Sequence, residues 1–181
     1  MSVEAAEPLG VPVLPALAYG VTPSFGAYPG SPTLSATAYV TVLRELVRSL
    51  RAQGFRRVLL VNGHGGNSPA AELVAGEGVL WHDWWRAPRI SAVMREIDPV
   101  GAHASWIENF PWTRLEAVAI PSEPKPVVER EELRGLDPQA TRQLLGDGTF
   151  GGAYSYPDED MLRIWRTGVD EVRGLLEEGW A

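Results

Sequence analysis

The sequence predicts an α/β protein, a three-layer α/β/α sandwich built around a mostly parallel sheet. Apolar segments of strand length alternate along the chain with amphipathic segments of helix length. The run of four apolar residues at 58–61 is typical of a strand that is covered on both faces. No internal repeat or long linker divides the chain, so we expect a single domain over residues 1–181.

In chain order, the first half shows five elements. A buried strand is predicted at 11–17, and a Gly/Pro-rich loop follows it. Ser35 can cap a helix that runs to about Gln53, and a strand at 57–62 comes next. Ser68 with Pro69 predicts the start of a helix through about Val74, and a further strand is expected at 78–85.

The second half is mostly helical in prediction. We expect helices near 91–97, near 103–109, from Asp137-Pro138 to Gly146, and from about Pro157 towards the end of the sequence. The last of these has the strongest pattern, an apolar stripe formed by Met161, Trp165, Val169, Val172 and Leu176.

Composition excludes several classes of function. The chain has 181 residues, 45% of them hydrophobic, and a formal net charge of -7, which argues against binding to nucleic acid or to anionic membranes. It has no cysteine, so disulfides and thiolate metal sites are excluded and any metal must use His, Asp or Glu. The start, MSVEAAEPLG, lacks the features of a signal peptide, and we expect a cytoplasmic protein.

His64 is the first candidate functional residue. It lies in the segment NGHGGN, directly after the apolar strand, and ligands of parallel sheets gather beyond the carboxyl ends of the strands. A neutral imidazole is a good ligand for zinc, iron or manganese. The alternatives are a histidine that serves only the turn, and a phosphate cradle, which the lack of Lys and Arg in the loop disfavours.

Two other histidines are weaker candidates from spacing alone. His103 and Glu108 in GAHASWIEN are five residues apart, which on one helix would separate them by about 140° around the axis. A histidine in the loop and a glutamate in the first helical turn would bring the two side chains together. His82 lies in an apolar strand, where a hydrogen-bonded core residue is the commoner outcome.

Four tryptophans are concentrated in the middle of the sequence: Trp81, Trp84, Trp85 and Trp106. They could form a wall of rings around a ligand, but aromatic rings more often belong to a core or a subunit contact.

The segments YGVTPSFGAYPGSPTLS, NGHGGN, HASWIEN and GDGTFGGAYSYPDEDM together resemble the creatininase (creatinine amidohydrolase) family. The resemblance covers most of the chain. It implies a metal-dependent amidohydrolase with an α/β/α sandwich fold that hydrolyses a C–N bond of a cyclic amide or a formamide. It also implies zinc, manganese or iron as cofactor and assembly into homo-oligomers, commonly hexamers.

The resemblance also implies roles for individual residues. His64 would be a metal ligand, and His103 would match the histidine that handles protons in the active site. Glu108 would be a ligand or a carboxylate that positions water. Matched motifs further imply substrate contacts for Tyr28, Asn67 and Trp106.

Some family features are missing from this sequence. Relatives usually begin with a segment of the form GSxEQHGPHLPLxTD, which supplies most ligands of a two-metal site and has no counterpart here. His64 is then the one remaining member of the usual four ligands, whereas a catalytic zinc normally takes three protein ligands. Asn109 and Phe110 replace a threonine and a serine of the family motif.

Three functions therefore stay open at this level. The first is a creatininase-type hydrolase whose other ligands come from a partner chain or from an upstream extension. The second is a catalytically defective subunit or small-molecule-binding protein of the same fold. The third, phosphate binding by the 63–66 loop, is the weakest.

Overall fold

The computed structural model describes residues 1–101 and 103–180, which contain six α-helices and two β-strands. The helices are α1 (Ser2–Ala6), α2 (Ala36–Ala52), α3 (Ala70–Val74), α4 (Pro88–Ile97), α5 (Pro138–Leu145) and α6 (Asp158–Glu178). The strands are β1 (Val58–Asn62) and β2 (Val79–Asp83), and short 3-10 turns connect several of these elements.

Strands β1 and β2 form a parallel pair in direct register, from Val58 opposite Val79 to Asn62 opposite Asp83. Helix α3 lies in the crossover between them, as expected for a βαβ unit. The carboxyl ends of both strands therefore meet at the same edge, which brings polar residues from two distant parts of the sequence together. The parallel sheet and the α/β class are confirmed.

The chain divides into two compact units. The first consists of Met1–Pro23, Gly30–Ala87 and the chain from Gly168 onwards, and it contains both strands. Its core is a cluster of buried side chains from α2 and α3, against which Val21, Leu34, Leu60 and Trp81 pack: Tyr39, Val40, Leu43, Ala70 and Val74. The prediction of one domain over the whole chain remains a prediction.

The second unit consists of Ser24–Pro29 and Pro88–Thr167. The rings of Phe110, Trp112 and Trp165 contact one another with centroids 4.5 to 5.4 Å apart. Two polar contacts tie its loops to its helices: Arg114 pairs with Asp158 at 2.7 Å, and the Tyr156 hydroxyl donates to Asp98 at 2.8 Å.

Most of the predicted helices and strands are present within a few residues of their predicted bounds. Ser35 caps α2 by accepting a hydrogen bond from the Ala38 amide at 3.1 Å, and Asp137 caps α5 in the same way through Ala140 at 2.8 Å. In the stripe of α6, Met161, Val169 and Val172 are buried, while Trp165 and Leu176 are half-buried.

The strand predicted at 11–17 is wrong. No strand forms over that segment, and residues 11–19 are exposed. Pro12 and Pro15 have no N–H to donate, so a β-ladder through this segment would lack two of its hydrogen bonds.

The helix predicted near 103–109 is also wrong, since only a 3-10 turn, Trp106–Glu108, forms there. Ala104 has a positive φ of 53° and Ser105 is extended, so a helix cannot begin before Trp106. Pro111 disfavours helical geometry in the residue before it and ends the segment.

Helix α3 begins later than predicted and without the predicted cap. Pro69 occupies the N-cap position, and no side chain caps this helix. The hydroxyl of Ser68 donates instead to the Asp83 carboxylate, at 2.9 Å. The Ser68 side chain, which the local pattern assigned to the helix cap, therefore bonds to a residue that is distant in the sequence.

Candidate functional site

The turn after β1 carries His64 at the carboxyl edge of the sheet. His64 is extended, and a single 3-10 turn, Gly65–Asn67, follows it. The Nε2 atom of its imidazole lies 3.1 Å from the carbonyl oxygen of Val21. Because a carbonyl can only accept, Nε2 carries the proton, and in the neutral ring Nδ1 keeps the lone pair.

Gly66 makes this arrangement possible. A Cβ atom at position 66 would lie 1.9 Å from the Val21 oxygen and 2.6 Å from His64 Nε2. The second glycine of the turn is therefore required by the close approach of the 21–23 loop, not by its own backbone angles.

Asn67 is buried, and both ends of its side-chain amide form hydrogen bonds within the protein. Its Oδ1 accepts from the Val21 amide at 2.9 Å, and its Nδ2 donates to Asn62 Oδ1 at 3.2 Å. The predicted contact of Asn67 with substrate remains a prediction, and in this structure the side chain holds the loop that bears the partner of His64.

His64 and Asn67 border a large open groove of about 2240 Å³ in the first unit. Segment 10–20, strand β1 and residues of helix α2 all contribute to its walls. Among the described residues that line it, none is Asp or Glu, whereas Arg56 and Arg57 are present. The described lining of the groove therefore offers no carboxylate that could join His64 around a cation.

Asp83, at the end of β2, is a functional candidate that the sequence reasoning missed. Its carboxylate accepts hydrogen bonds from Asn62 at 2.7 Å, from Trp81 at 2.8 Å and from Ser68 at 2.9 Å. Burial raises the pKa of the Asp83 carboxyl, but these three hydrogen bonds and the charge of Arg86 outweigh burial, so that the pKa lies below its usual value.

A depressed carboxyl pKa makes the Asp83 network sensitive to acid. Its contribution to stability is present above the pKa of aspartate in the unfolded chain, and it is lost as the pH falls through the folded value. The signal that could have revealed this residue was its place at the end of the second parallel strand, level with the end of the first.

The second unit brings His103 and Glu108 together. Their Nδ1 and Oε1 atoms are 3.7 Å apart, and Glu108 Oε1 also accepts from the Ala104 amide at 2.9 Å. The imidazole packs against Phe25 and Phe150, with ring centroids 4.9 and 5.0 Å away. The predicted pairing of a loop histidine with a nearby glutamate is thus compatible with the 3-10 turn that replaces the expected helix.

Tyr28 lies in the same unit, half-buried beside Phe25 and Gly148. Its hydroxyl is buried with no hydrogen-bond partner among the described residues. Burial raises the pKa of Tyr28, the charge of Asp147 adds to this effect, and Arg142 opposes it. A buried phenol with an unused donor could contact a ligand, and its role in substrate binding stays a prediction.

Trp106 is 0% exposed, and its indole N–H donates to the Val100 carbonyl at 3.1 Å. Its ring meets the edge of Tyr156 with centroids 4.9 Å apart. These contacts are those of a core residue, and the role of Trp106 in substrate binding stays a prediction.

His82, the third histidine, is half-buried in β2, and burial lowers its pKa while the charges of Glu171 and Asp83 oppose that effect.

Among residues 1–101 and 103–180, no group of three or more His, Asp or Glu side chains is close enough to hold a metal ion. The donor set of the described chain therefore does not fit a catalytic metal by itself, since such a site normally needs three protein ligands.

Taken together, these features define an α/β protein with a histidine turn at the carboxyl edge of a parallel strand pair. The family model for creatininase, described as creatinine amidohydrolase, matches residues 1–176, and the chain belongs to this family. No curated protein matches the sequence.

Solved structures agree with the family at the level of the fold. A crystal structure of creatinine amidohydrolase (creatininase) superposes with a TM-score of 0.73 at 21% identity, covering 98% of this chain and 78% of that one. A variant creatininase of Zn–Zn type has a TM-score of 0.73 and a manganese creatininase 0.72, each at 21% identity over 98% of this chain and 79% of theirs. Within the described part of this chain, no helix is both long and apolar enough to cross a membrane.

Proposed function

We propose that this chain acts as a creatininase-type amidohydrolase that cleaves a C–N bond of a cyclic amide or a formamide. His103 and Glu108 form its proton-transfer pair. The observation that supports this function is the 3.7 Å approach of Glu108 Oε1 to His103 Nδ1, within a chain that belongs to a family of amidohydrolases.

The chemistry of amide hydrolysis explains why such a pair is useful. Water adds its oxygen to the carbonyl carbon, the C–N bond breaks, and the leaving nitrogen must gain a proton. A carboxylate beside Nδ1 favours the Nδ1–H form of imidazole and leaves Nε2 to take up the proton of water and return it to nitrogen. Glu108 would also stabilise the imidazolium that exists between these two transfers.

Metal is the part of the family chemistry that this chain does not complete alone. By resemblance, His64 is a ligand and Glu108 is a ligand or a carboxylate that positions water, and no Asp or Glu is among the described residues that line the groove beside His64. The proposal therefore requires that zinc, manganese or iron, if used, be held largely by residues other than those described. The missing ligands would come from another copy of the chain in a homo-oligomer, which is hexameric by family resemblance, or from a further segment of protein.

The test compares histidine variants, because the chain has three histidines. The purified protein is analysed for metal content, incubated with zinc or manganese, and assayed with a series of cyclic amides and formamides. We expect His103→Ala to lower kcat by about 100-fold or more, the usual contribution of a general acid–base group. The matched control is His82→Gln, which changes the histidine that the proposal does not use and should leave kcat unaltered.

Wild-type kcat in the His103→Ala variant would contradict the proposed proton-transfer pair. A second candidate function, a non-catalytic subunit or small-molecule-binding protein of the same fold, is favoured by the lack of carboxylates in the groove beside His64. Absence of both metal and turnover after incubation with zinc and with manganese would favour that candidate.

A further inference from the structure

The Asp83 carboxylate, at the end of β2, accepts three side-chain hydrogen bonds near the histidine turn. The Asp83 side chain is 11% exposed, and both of its oxygens accept hydrogen bonds from neutral donors on the same unit. Hydrogen bonds to a buried charge are stronger than those between neutral groups, so this carboxylate holds its donor side chains in fixed positions.

Asn62 connects the Asp83 carboxylate to His64. In the parallel pair Asn62 is directly opposite Asp83, and it is 5% exposed. Its Nδ2 donates both to Asp83 and, at 2.8 Å, to the His64 carbonyl, while its Oδ1 accepts from the His64 amide at 3.2 Å. One side chain therefore holds both backbone polar groups of His64.

The orientation of the Asn62 amide decides whether these bonds can form. A carboxylate only accepts hydrogen bonds, so Asp83 requires the Nδ2 end of Asn62 to face it. The rotated amide would place Oδ1 against the carboxylate and an N–H group against the His64 amide, and both contacts would be repulsive. The acceptor at position 83 thus selects the amide orientation that fixes His64.

The same orientation also positions the imidazole ring. Asn62 Oδ1 accepts from Asn67 Nδ2, and Asn67 Oδ1 in turn accepts from the Val21 amide. The Val21 carbonyl is the partner of His64 Nε2. Hydrogen bonds therefore connect Asp83 to the Val21 amide, and the backbone of Val21 connects that amide to the carbonyl that sets the tautomer of His64.

We propose that Asp83 is a positioning residue: its carboxylate orients Asn62, and Asn62 holds the backbone and, through Asn67 and Val21, the ring of His64. As far as activity is concerned, this inference rests on the proposed amidohydrolase function and on the metal-ligand role that the family resemblance implies for His64. The positioning itself is a property of the protein alone.

The experiment compares Asp83→Ala and Asp83→Ser with two controls in the ligand-free protein. Asp83→Asn keeps an acceptor oxygen for Asn62 and Trp81 and should rescue the wild-type behaviour. Ser68→Ala removes one donor to Asp83 without touching Asn62 or His64. Circular dichroism establishes that each variant is folded, and the serine variant decides the question if the alanine variant is not.

Two NMR measurements report on His64. Long-range ¹H–¹⁵N spectra of the imidazole distinguish the Nε2–H tautomer, which we expect in the wild type and in both controls but not in Asp83→Ala or Asp83→Ser. Amide exchange of His64 and Val21 should accelerate about tenfold or more in those two variants, because each amide loses a hydrogen bond or the group that orients it.

The proposal would be overturned if a folded Asp83→Ala or Asp83→Ser protein kept the wild-type tautomer and amide exchange. It would also be overturned if Ser68→Ala had an equal effect, because that would indicate a general loss of rigidity in this unit. In kinetic assays, Asp83→Ala should lower kcat with little change in KM, and Asp83→Asn should restore it. If the wild type hydrolyses no amide, the proposed function fails while the NMR result still decides the role of Asp83.

Discussion

Replacing Gly66 with alanine tests the close approach that the histidine turn depends on. The added Cβ would lie 1.9 Å from the Val21 oxygen. A normal carbon–oxygen contact is about 3.3 Å, so the Val21 carbonyl would have to move by about 1.4 Å. Such a movement separates the carbonyl from His64 Nε2, now 3.1 Å away, and strains the Asn67 contact to the Val21 amide.

The expected loss of stability follows from these two effects. Overpacking costs about 1–3 kcal/mol, and a hydrogen bond contributes about 1 kcal/mol. We therefore expect the free energy of unfolding of Gly66→Ala to fall by about 2–4 kcal/mol. With an m-value of about 2 kcal/mol per M of urea, the midpoint of urea unfolding should fall by about 1–2 M.

Gly63 provides the matched control from the same turn. A Cβ at position 63 would meet nothing within 4 Å, and Gly63 is not among the glycines with positive φ. Gly63→Ala should therefore change the free energy of unfolding by no more than about 0.5 kcal/mol. If Gly66→Ala unfolds at the wild-type urea concentration, or if both variants lose the same stability, the argument from close approach is wrong.

Three further predictions concern the second unit. The hydrogen bond from Tyr154 to Asp147 raises the pKa of the phenol to about 12, so this bond stabilises the fold below the ordinary tyrosine pKa and is lost as the pH rises through about 12. Asp147→Asn should move the ultraviolet titration of Tyr154 towards 10, the ordinary value, and an unchanged titration would exclude this cause. Asp137→Ala removes the cap that binds the Ala140 amide and should lower the unfolding free energy by about 1 kcal/mol, measured by urea denaturation, whereas no change would show that the cap is dispensable. Met161 is 0% exposed, and Met161→Ala should cost about 2–5 kcal/mol in the same assay, with a loss below 1 kcal/mol contradicting its place in the core.

The α/β class and most elements could be predicted because local patterns determine them. Apolar segments of strand length predict β1 and β2, and an apolar stripe at helical spacing predicts α6. The caps at Ser35 and Asp137 depend on residues only three positions away. The two wrong elements, the strand at 11–17 and the helix near 103–109, lie where the apolar pattern and the backbone restrictions of single residues disagree. Segment 11–17 is apolar enough for a strand, but its prolines remove donors.

The candidate site was predictable to a smaller extent. The position of His64 after a buried strand, and the nearness of His103 to Glu108, could be inferred from spacing and from family resemblance. The roles predicted for Tyr28, Asn67 and Trp106 rest on resemblance alone. Burial of Trp106 and the engagement of Asn67 by the protein depend on packing, which no local pattern specifies.

By itself, the sequence determined that a histidine flanked by glycines follows an apolar strand, because strand and turn preferences act over a few residues. Only the tertiary structure decided what that histidine contacts. Val21 lies 43 residues before His64, and Asp83 lies 21 residues after Asn62, so the backbone must fold before either contact exists. Hydrogen bonds between such distant residues depend on strand register and loop approach, and these are properties of the folded chain.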